Sequence, residues 1–218
     1  MENVSWSAGP DARAGTHLLI MLHGYGADET GMAGLFPFLP AGITAAALRG
    51  SFPVGDSHGW FLMDPGLRAD TADVLEAATG LLARVDRIRA EGTYTGVSLL
   101  GFSQGMAMAA TLLRLRPAGF GAVVGLSGFV AASELLAMAE PLPERIPFFW
   151  GRDRSDWVIN EDAILQTRNW LEENTALTAR TYPGMGHSIG PEEARDVGIF
   201  LGRYVAPSAW QDSEYKER

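Results

Sequence analysis

The five residues Gly101-Phe102-Ser103-Gln104-Gly105 fit the pattern Gly-x-Ser-x-Gly. In that pattern a strained strand-to-helix turn lifts a serine hydroxyl above a sheet, and the glycines leave room for the tight backbone. A glycine-flanked serine in an ordinary turn gives the same letters, and a sequence with 26 glycines offers chances for it, so the flanking elements decide. A serine hydroxyl attacks a carbonyl only when a base takes its proton and an acid holds that base, which requires a histidine and a carboxylate further along. There are four histidines. His17 and His23 belong to an apolar run and His58 to a long loop, whereas His187 stands in the glycine-flanked stretch Gly184-Met185-Gly186-His187-Ser188, after the last strand pattern and before the last helix pattern. That is where a chain order of Ser, Asp, His delivers the base. Such a base must be neutral, so activity is expected to rise through about pH 6 to 7, where unperturbed histidine titrates.

Two aspartates compete for the acid. Asp156 precedes Trp157-Val158-Ile159, an apolar run suited to packing its loop down, while Asp153, between Arg152 and Arg154, reads as a solvated ion-pair residue. We favour Asp156, with Asp153 as the alternative, for the role of orienting His187. The oxyanion of a tetrahedral intermediate needs two donors. The backbone N–H of Gln104, directly after the serine, is one candidate; that of Tyr25, in the loop His23-Gly24-Tyr25-Gly26-Ala27-Asp28, is the other.

The elements that must position these residues are legible as periodicities. Short apolar runs alternate with helical patterns, the mark of an α/β fold with a parallel sheet. Residues 16–23 are apolar on both faces and read as a buried central strand, residues 43–48 as a weaker one. From Asp70 and Thr71, which offer N-caps, through Glu91, the positions Val74, Leu75, Ala78, Leu81, Leu82, Val85 and Ile88 recur at spacings of three and four and predict a helix. Strand patterns at 97–102, 122–126, 146–150 and 176–182 alternate with helix patterns at 105–115, 160–174 and 191–205, and residues 211–218 form a polar tail. Residues 50–69 read as a long Gly/Pro-punctuated loop, a length that favours a functional loop. It carries Trp60, Phe61, Leu62 and Met63, either a substrate wall or aromatics pinning the loop to the core; with Phe129, Val130 and Trp157 they are the pocket candidates.

Composition narrows the chemistry. With no cysteine among 218 residues, disulfides, thiolate metal sites and a cysteine nucleophile are excluded. No His-x-x-x-His pair suggests a metal, and no cofactor is expected. Seventeen basic against 26 acidic residues leave a net charge of -9, which disfavours nucleic acid and stable association with anionic membranes. The first residues lack the basic start and apolar run of a signal peptide, and no stretch approaches the roughly 20 apolar residues of a membrane span. A single cytoplasmic domain over residues 1–218 is the expectation, and a homodimer stays open. A nucleotide-binding reading of Gly24-x-Gly26 fails at the third glycine, where Glu29 stands.

Taken together, LHGYGAD, GFSQG, the G-x-x-x-x-D-x-V-I stretch and GMGHSI, in this order within residues 18–205, resemble the phospholipase/carboxylesterase family of α/β-hydrolases, which includes acyl-protein thioesterases. The resemblance implies an α/β-hydrolase fold: a mainly parallel central sheet with helices on both faces. It also implies a carboxylesterase working through an acyl-enzyme on Ser103, with Asp156 and His187 completing the triad, Tyr25 and Gln104 as the oxyanion hole, and Gly59-Trp60-Phe61 beside the active site. Many members place the acid three residues after the strand-end glycine. Here Asp156 stands five after Gly151 and Asp153 two, so both aspartates stay open. The chain length leaves no room for a large cap, which predicts an open groove and short to medium acyl esters as substrates. A lysophospholipase or acyl-thioesterase on the same residues, and an inactive binding module on the same fold, are the alternatives.

Overall fold

The computed structural model describes residues 3–138 and 140–206; the polar tail at 211–218 lies outside the described residues. Seven strands form one sheet in the order β1-β3-β2-β6-β7-β8-β9, with β1 (Val4–Trp6), β2 (His17–Leu22), β3 (Ile43–Leu48), β6 (Val97–Phe102), β7 (Val123–Leu126), β8 (Pro147–Arg152) and β9 (Ala176–Thr181). Only β1 runs antiparallel, against β3; the other pairings are parallel. The parallel strands are connected by the 3-10 segment Glu29–Phe38, α1 (Thr71–Ala90), α2 (Gln104–Leu115), the short α3 (Glu134–Ala137) and α4 (Glu161–Asn174), and α5 (Pro191–Val205) follows β9.

The two-residue pleat period sorts the strand side chains onto two faces. Leu18, Ile20 and Leu22 share a core with residues of α1, α2 and α4, whereas Leu19 and Met21 share the other with Met32, Leu35 and the α5 residues Val197, Phe200 and Leu201. Helices thus cover both faces, which is why β2, β3 and β7 are buried at every position. Helix α1 buries Val74, Ala78, Leu81, Val85 and Ile88, the stripe its spacing predicts, and Asp70 caps it by accepting from the Ala72 N–H at 2.7 Å. Each large member of that stripe stabilises the fold by roughly 1.5–3 kcal/mol.

Several elements were not visible in the sequence pattern, the short α3 among them. Val4–Trp6 is too short to show a period, the 3-10 segment Glu29–Phe38 has none, and residues 50–69 contain a two-stranded hairpin of β4 (Phe52–Val54) and β5 (Ser57–Gly59). The strand order reverses between β2 and β6: the chain leaves β2 for β3 on one side and β6 for β7 on the other. In open α/β sheets the crevice at such a reversal, beyond the carboxyl ends of the strands, is where ligands bind. Gly24 and Ser103 flank that crevice, each just past its strand.

Candidate active site

Ser103 follows β6 directly and opens α2, with φ 53 and ψ -119. A non-glycine residue in this region is strained, at roughly 1–3 kcal/mol, and persists only where the surroundings enforce it. Here they do. The Ser103 N–H donates to the Leu126 carbonyl of β7 at 2.9 Å, and Ser103 O accepts from Met106 N at 3.0 Å. A Cβ on Gly101 would run into the Gly105 carbonyl, and one on Gly105 into the Leu22 carbonyl. Both glycines of the motif are therefore dictated by contact, and the turn has no slack in which to relax.

The serine meets its expected partners. His187 Nε2 lies 3.0 Å from Ser103 Oγ, and His187 Nδ1 lies 2.8 Å from Asp156 Oδ2. Asp156 is buried, and its other oxygen accepts from the Val158 N–H at 2.9 Å, which orients the carboxylate toward the imidazole. The Phe102 ring packs against His187 with centroids 5.1 Å apart. A hydroxyl, an imidazole and a carboxylate in this line can carry a proton off the serine and stabilise the imidazolium that results.

Asp153 departs from its reading as a solvated ion-pair residue. It is 1% exposed, accepts from Ser155 N at 2.9 Å and, through Oδ2, from Gly186 N at 2.7 Å. The Ser155 amide and then the Gly186 amide hold its carboxyl below the usual carboxylate range. The arginines beside it in sequence do not solvate it; it clamps the residue preceding His187 instead. The apolar run after Asp156 also departs from expectation, since Trp157 and Val158 are exposed and only Ile159 is buried. Trp157 lies over Gly186, whose positive φ of 64 suits glycine and where a Cβ would come within 2.9 Å of the indole.

The loop bearing Tyr25 is fixed by β4–β5. Gly26 N and Ala27 N both donate to the His58 carbonyl, at 2.9 and 3.2 Å, and His58 N donates to Ala27 O at 2.9 Å. His23 lies just beyond β2, outside the strand in which its position suggested it. Its Nε2 accepts from the Gly50 N–H at 2.9 Å, so Nδ1 bears the proton and donates to Gly24 O at 2.7 Å. Burial lowers its pKa, in keeping with a neutral ring held in one tautomer. His17 pairs with Ser98 Oγ at 2.8 Å, and burial lowers its pKa to about 4; it is a core residue.

Gln104 does more than its backbone suggested. Its fully buried side chain accepts from Trp60 N at 2.9 Å and donates to Phe61 O at 2.8 Å, while Trp60 Nε1 donates to His23 O at 2.8 Å. One amide thus ties the serine turn to the loop after β5, and one indole ties that loop to the Tyr25 loop. A glutamine at the head of a helix pattern whose next six residues, Gly105 to Ala110, are all small or apolar was the available signal. Trp60 and Phe61 accordingly are buried pins for the loop, and Leu62 alone of the four is mostly exposed.

The pocket candidates divide. Phe61, Phe129 and Val130 line, with Leu67, a cleft of about 440 Å3; Trp60, Phe61 and Leu62 line another of about 560 Å3 that carries Arg49, Arg84, Asp73 and Glu76. A third, of about 510 Å3, borders His187 and Gly24. Met63 and Trp157 line none of these three clefts, and Met63 packs against the core.

Comparison with known proteins bears on the family and the fold. A sequence model described as Phospholipase/Carboxylesterase matches residues 57–204. The chain belongs to the phospholipase/carboxylesterase family. Its fold is that of the α/β-hydrolases. The carboxylesterase SOBER1 of Arabidopsis thaliana is 29% identical over 147 residues, covering 66% of this chain and 64% of the relative. Acyl-protein thioesterase 1 of Kluyveromyces lactis is 25% identical over 213 residues, covering 88% and 93%. The chain spans 64% of the length of the first two curated relatives it matches. Among solved structures, a Bacillus cereus carboxylesterase superposes with a TM-score of 0.77 at 18% identity, over 93% of this chain and 94% of that one. SOBER1 itself superposes with a TM-score of 0.74 at 24% identity, over 86% and 98%. No helix among the described residues is long and apolar enough to cross a membrane.

Proposed function

We propose that the protein is a serine carboxylic ester hydrolase. The observation that carries this reading is the unbroken line from Ser103 Oγ through His187 to Asp156, at 3.0 and 2.8 Å. His187 Nε2 takes the hydroxyl proton as Ser103 Oγ bonds to the ester carbonyl carbon, and Asp156 holds Nδ1–H and stabilises the imidazolium. Negative charge collects on the former carbonyl oxygen. The N–H of Gln104, at the positive end of the 12-residue helix α2, and that of Tyr25 are the donors we assign to it.

As the carbon–oxygen bond breaks, imidazolium returns its proton to the departing alcohol and leaves an ester on Ser103. Water, deprotonated by the same imidazole, then attacks that ester, and the reverse sequence releases the acid and restores the serine. We assign short to medium acyl chains to the cleft lined by Phe61, Phe129 and Val130, which neighbours Gly128, where an added Cβ would stand 2.7 Å from the Ser103 carbonyl oxygen. A thioester reaches the same acyl-enzyme, and the similarity to acyl-protein thioesterase 1 keeps acyl thioesters as a second substrate class. Steady-state turnover of 4-nitrophenyl acetate and S-ethyl thioacetate tests both: each is hydrolysed by the wild type and lost by at least about 10^4-fold in Ser103→Ala. Undiminished turnover by that variant overturns the reading.

A further inference from the structure

Where the alcohol half of an ester must lie follows from the proton path. The departing oxygen takes its proton from His187 Nε2, so it leaves on the His187 side of Ser103. The cleft of about 510 Å3 opens there. His187, which lines it, lies 3.0 Å from Ser103 Oγ; Phe102 directly precedes the serine, and an added Cβ on Gly24 would stand 3.3 Å from Ser103 Cβ. From this mouth it runs between the 3-10 segment Glu29–Phe38 and the start of α5, walled by Met32, Leu35, Phe38, Phe102, Ile189 and Pro191. None of the described residues lining it is charged. The cleft containing Arg49, Arg84, Asp73 and Glu76 is the contrast, and it includes neither His187 nor Gly24.

Resting on the serine-hydrolase reading, we propose that this cleft is the leaving-group site and that it selects esters of uncharged, apolar alcohols of several carbons. Its volume falls in the range of about 300–1,000 Å3 in which small-molecule sites occur. The alcohol side carries selectivity through burial of methylenes against Met32, Leu35 and Ile189. A phosphate-bearing alcohol, as in a lysophospholipid, would enter this apolar wall with no lysine or arginine lining it and would shed hydration without replacement. Two glycines make the cleft easy to narrow. Gly31 and Gly34 line the cleft and are exposed, and a Cβ on either meets nothing within 4 Å, so a larger side chain is accommodated at this rim without displacing the backbone.

The test compares kcat/KM along two ester series, methyl to hexyl acetate and methyl acetate to methyl hexanoate, with intact-mass labelling of wild type by a fluorophosphonate as the control. Extending the alcohol is expected to raise kcat/KM about 2- to 4-fold per methylene over the first steps. Gly34→Leu and Gly31→Leu should each lower the hexyl-to-methyl acetate ratio at least about tenfold and leave the methyl alkanoate profile in its original order. A flat alcohol series, a hexyl-to-methyl ratio unmoved in both variants, or hydrolysis of lysophosphatidylcholine faster than hexyl acetate overturns the leaving-group assignment while a labelled, ester-cleaving wild type leaves the hydrolase reading standing. A wild type that neither takes the label nor cleaves methyl acetate overturns both.

Discussion

Ser103 and His187 come within 3.0 Å of each other, yet the chain holds them in opposite ways. The serine turn is held by packing: it grows out of a buried strand, is hemmed by backbone at Gly101 and Gly105, and is tied by the Gln104 amide to the loop after β5. The His187 loop is held by carboxylates. Gly184 and Gly186 both have positive φ, Asp153 accepts from Gly186 N, Asp156 holds the imidazole, and the indole over Gly186 is 80% exposed. Burying a turn in backbone fixes a position to fractions of an ångström, because close-packed interiors do not yield. Carboxylate clamps instead fix a loop by charge-assisted hydrogen bonds that a single side-chain change can remove.

The contrast separates two aspartates that stand three residues apart. Asp156→Asn leaves the shape intact but presents an amide to Nδ1, and kcat should fall by about 10^3- to 10^4-fold. Asp153→Asn loses a charge-assisted acceptor for Gly186 N without touching the ring, so kcat should fall by about tenfold or less while the melting temperature drops by an amount corresponding to about 1–3 kcal/mol. Steady-state kinetics and thermal melts on both variants decide the matter; a larger kinetic loss in Asp153→Asn would reverse the assignment of the acid. On the packed side, Gly105→Ala drives a methyl group into the Leu22 and His23 carbonyls. We expect a stability loss of about 3 kcal/mol or more in urea unfolding, and a loss under about 1 kcal/mol would mean the turn is softer than the packing implies.

How much of this could be read from sequence follows the same division. The serine turn, α1 and the strands around them rest on local signals: glycine spacing, apolar period and caps, all within a few residues of each other. Even there β1 was invisible, because three residues carry no period and its antiparallel pairing depends on β3, about forty residues away. Asp153 shows the limit most clearly. Its sequence neighbours are arginines, but its partner is the amide of Gly186, 33 residues later, and no local pattern reports such a contact. Trp157 misled in the other direction: hydrophobic composition suggested burial, while the ring covers a glycine at the surface.

Behind the His187 loop, in the first turn of α5, Glu193 is fully buried, and neither of its oxygens has a hydrogen-bond partner among the described residues. It abuts Gly151, where a Cβ would collide with it, and burial pushes its pKa up to about 8 from an ordinary 4.5. The folded state therefore binds a proton that the unfolded state releases above about pH 4.5, so this group's contribution to stability is complete at low pH and lost as pH rises through about 8. Glu193→Gln should melt progressively higher relative to wild type between pH 5 and 9, by on the order of 1–3 kcal/mol at the alkaline end. A constant difference across that range would show that the carboxyl does not titrate in the fold. The smallest effect belongs to the exposed indole: Trp157→Ala should change unfolding free energy by less than about 0.5 kcal/mol, and a larger loss would make the indole a structural clamp of the loop.

The most direct test of the central claim is covalent. Intact-mass analysis after treatment with a fluorophosphonate should show one adduct on the wild type, mapped by peptide sequencing to Ser103, a much slower reaction in His187→Ala, and none in Ser103→Ala. An adduct that persists in Ser103→Ala, or a folded wild type that takes none, would contradict a serine activated by His187 and Asp156.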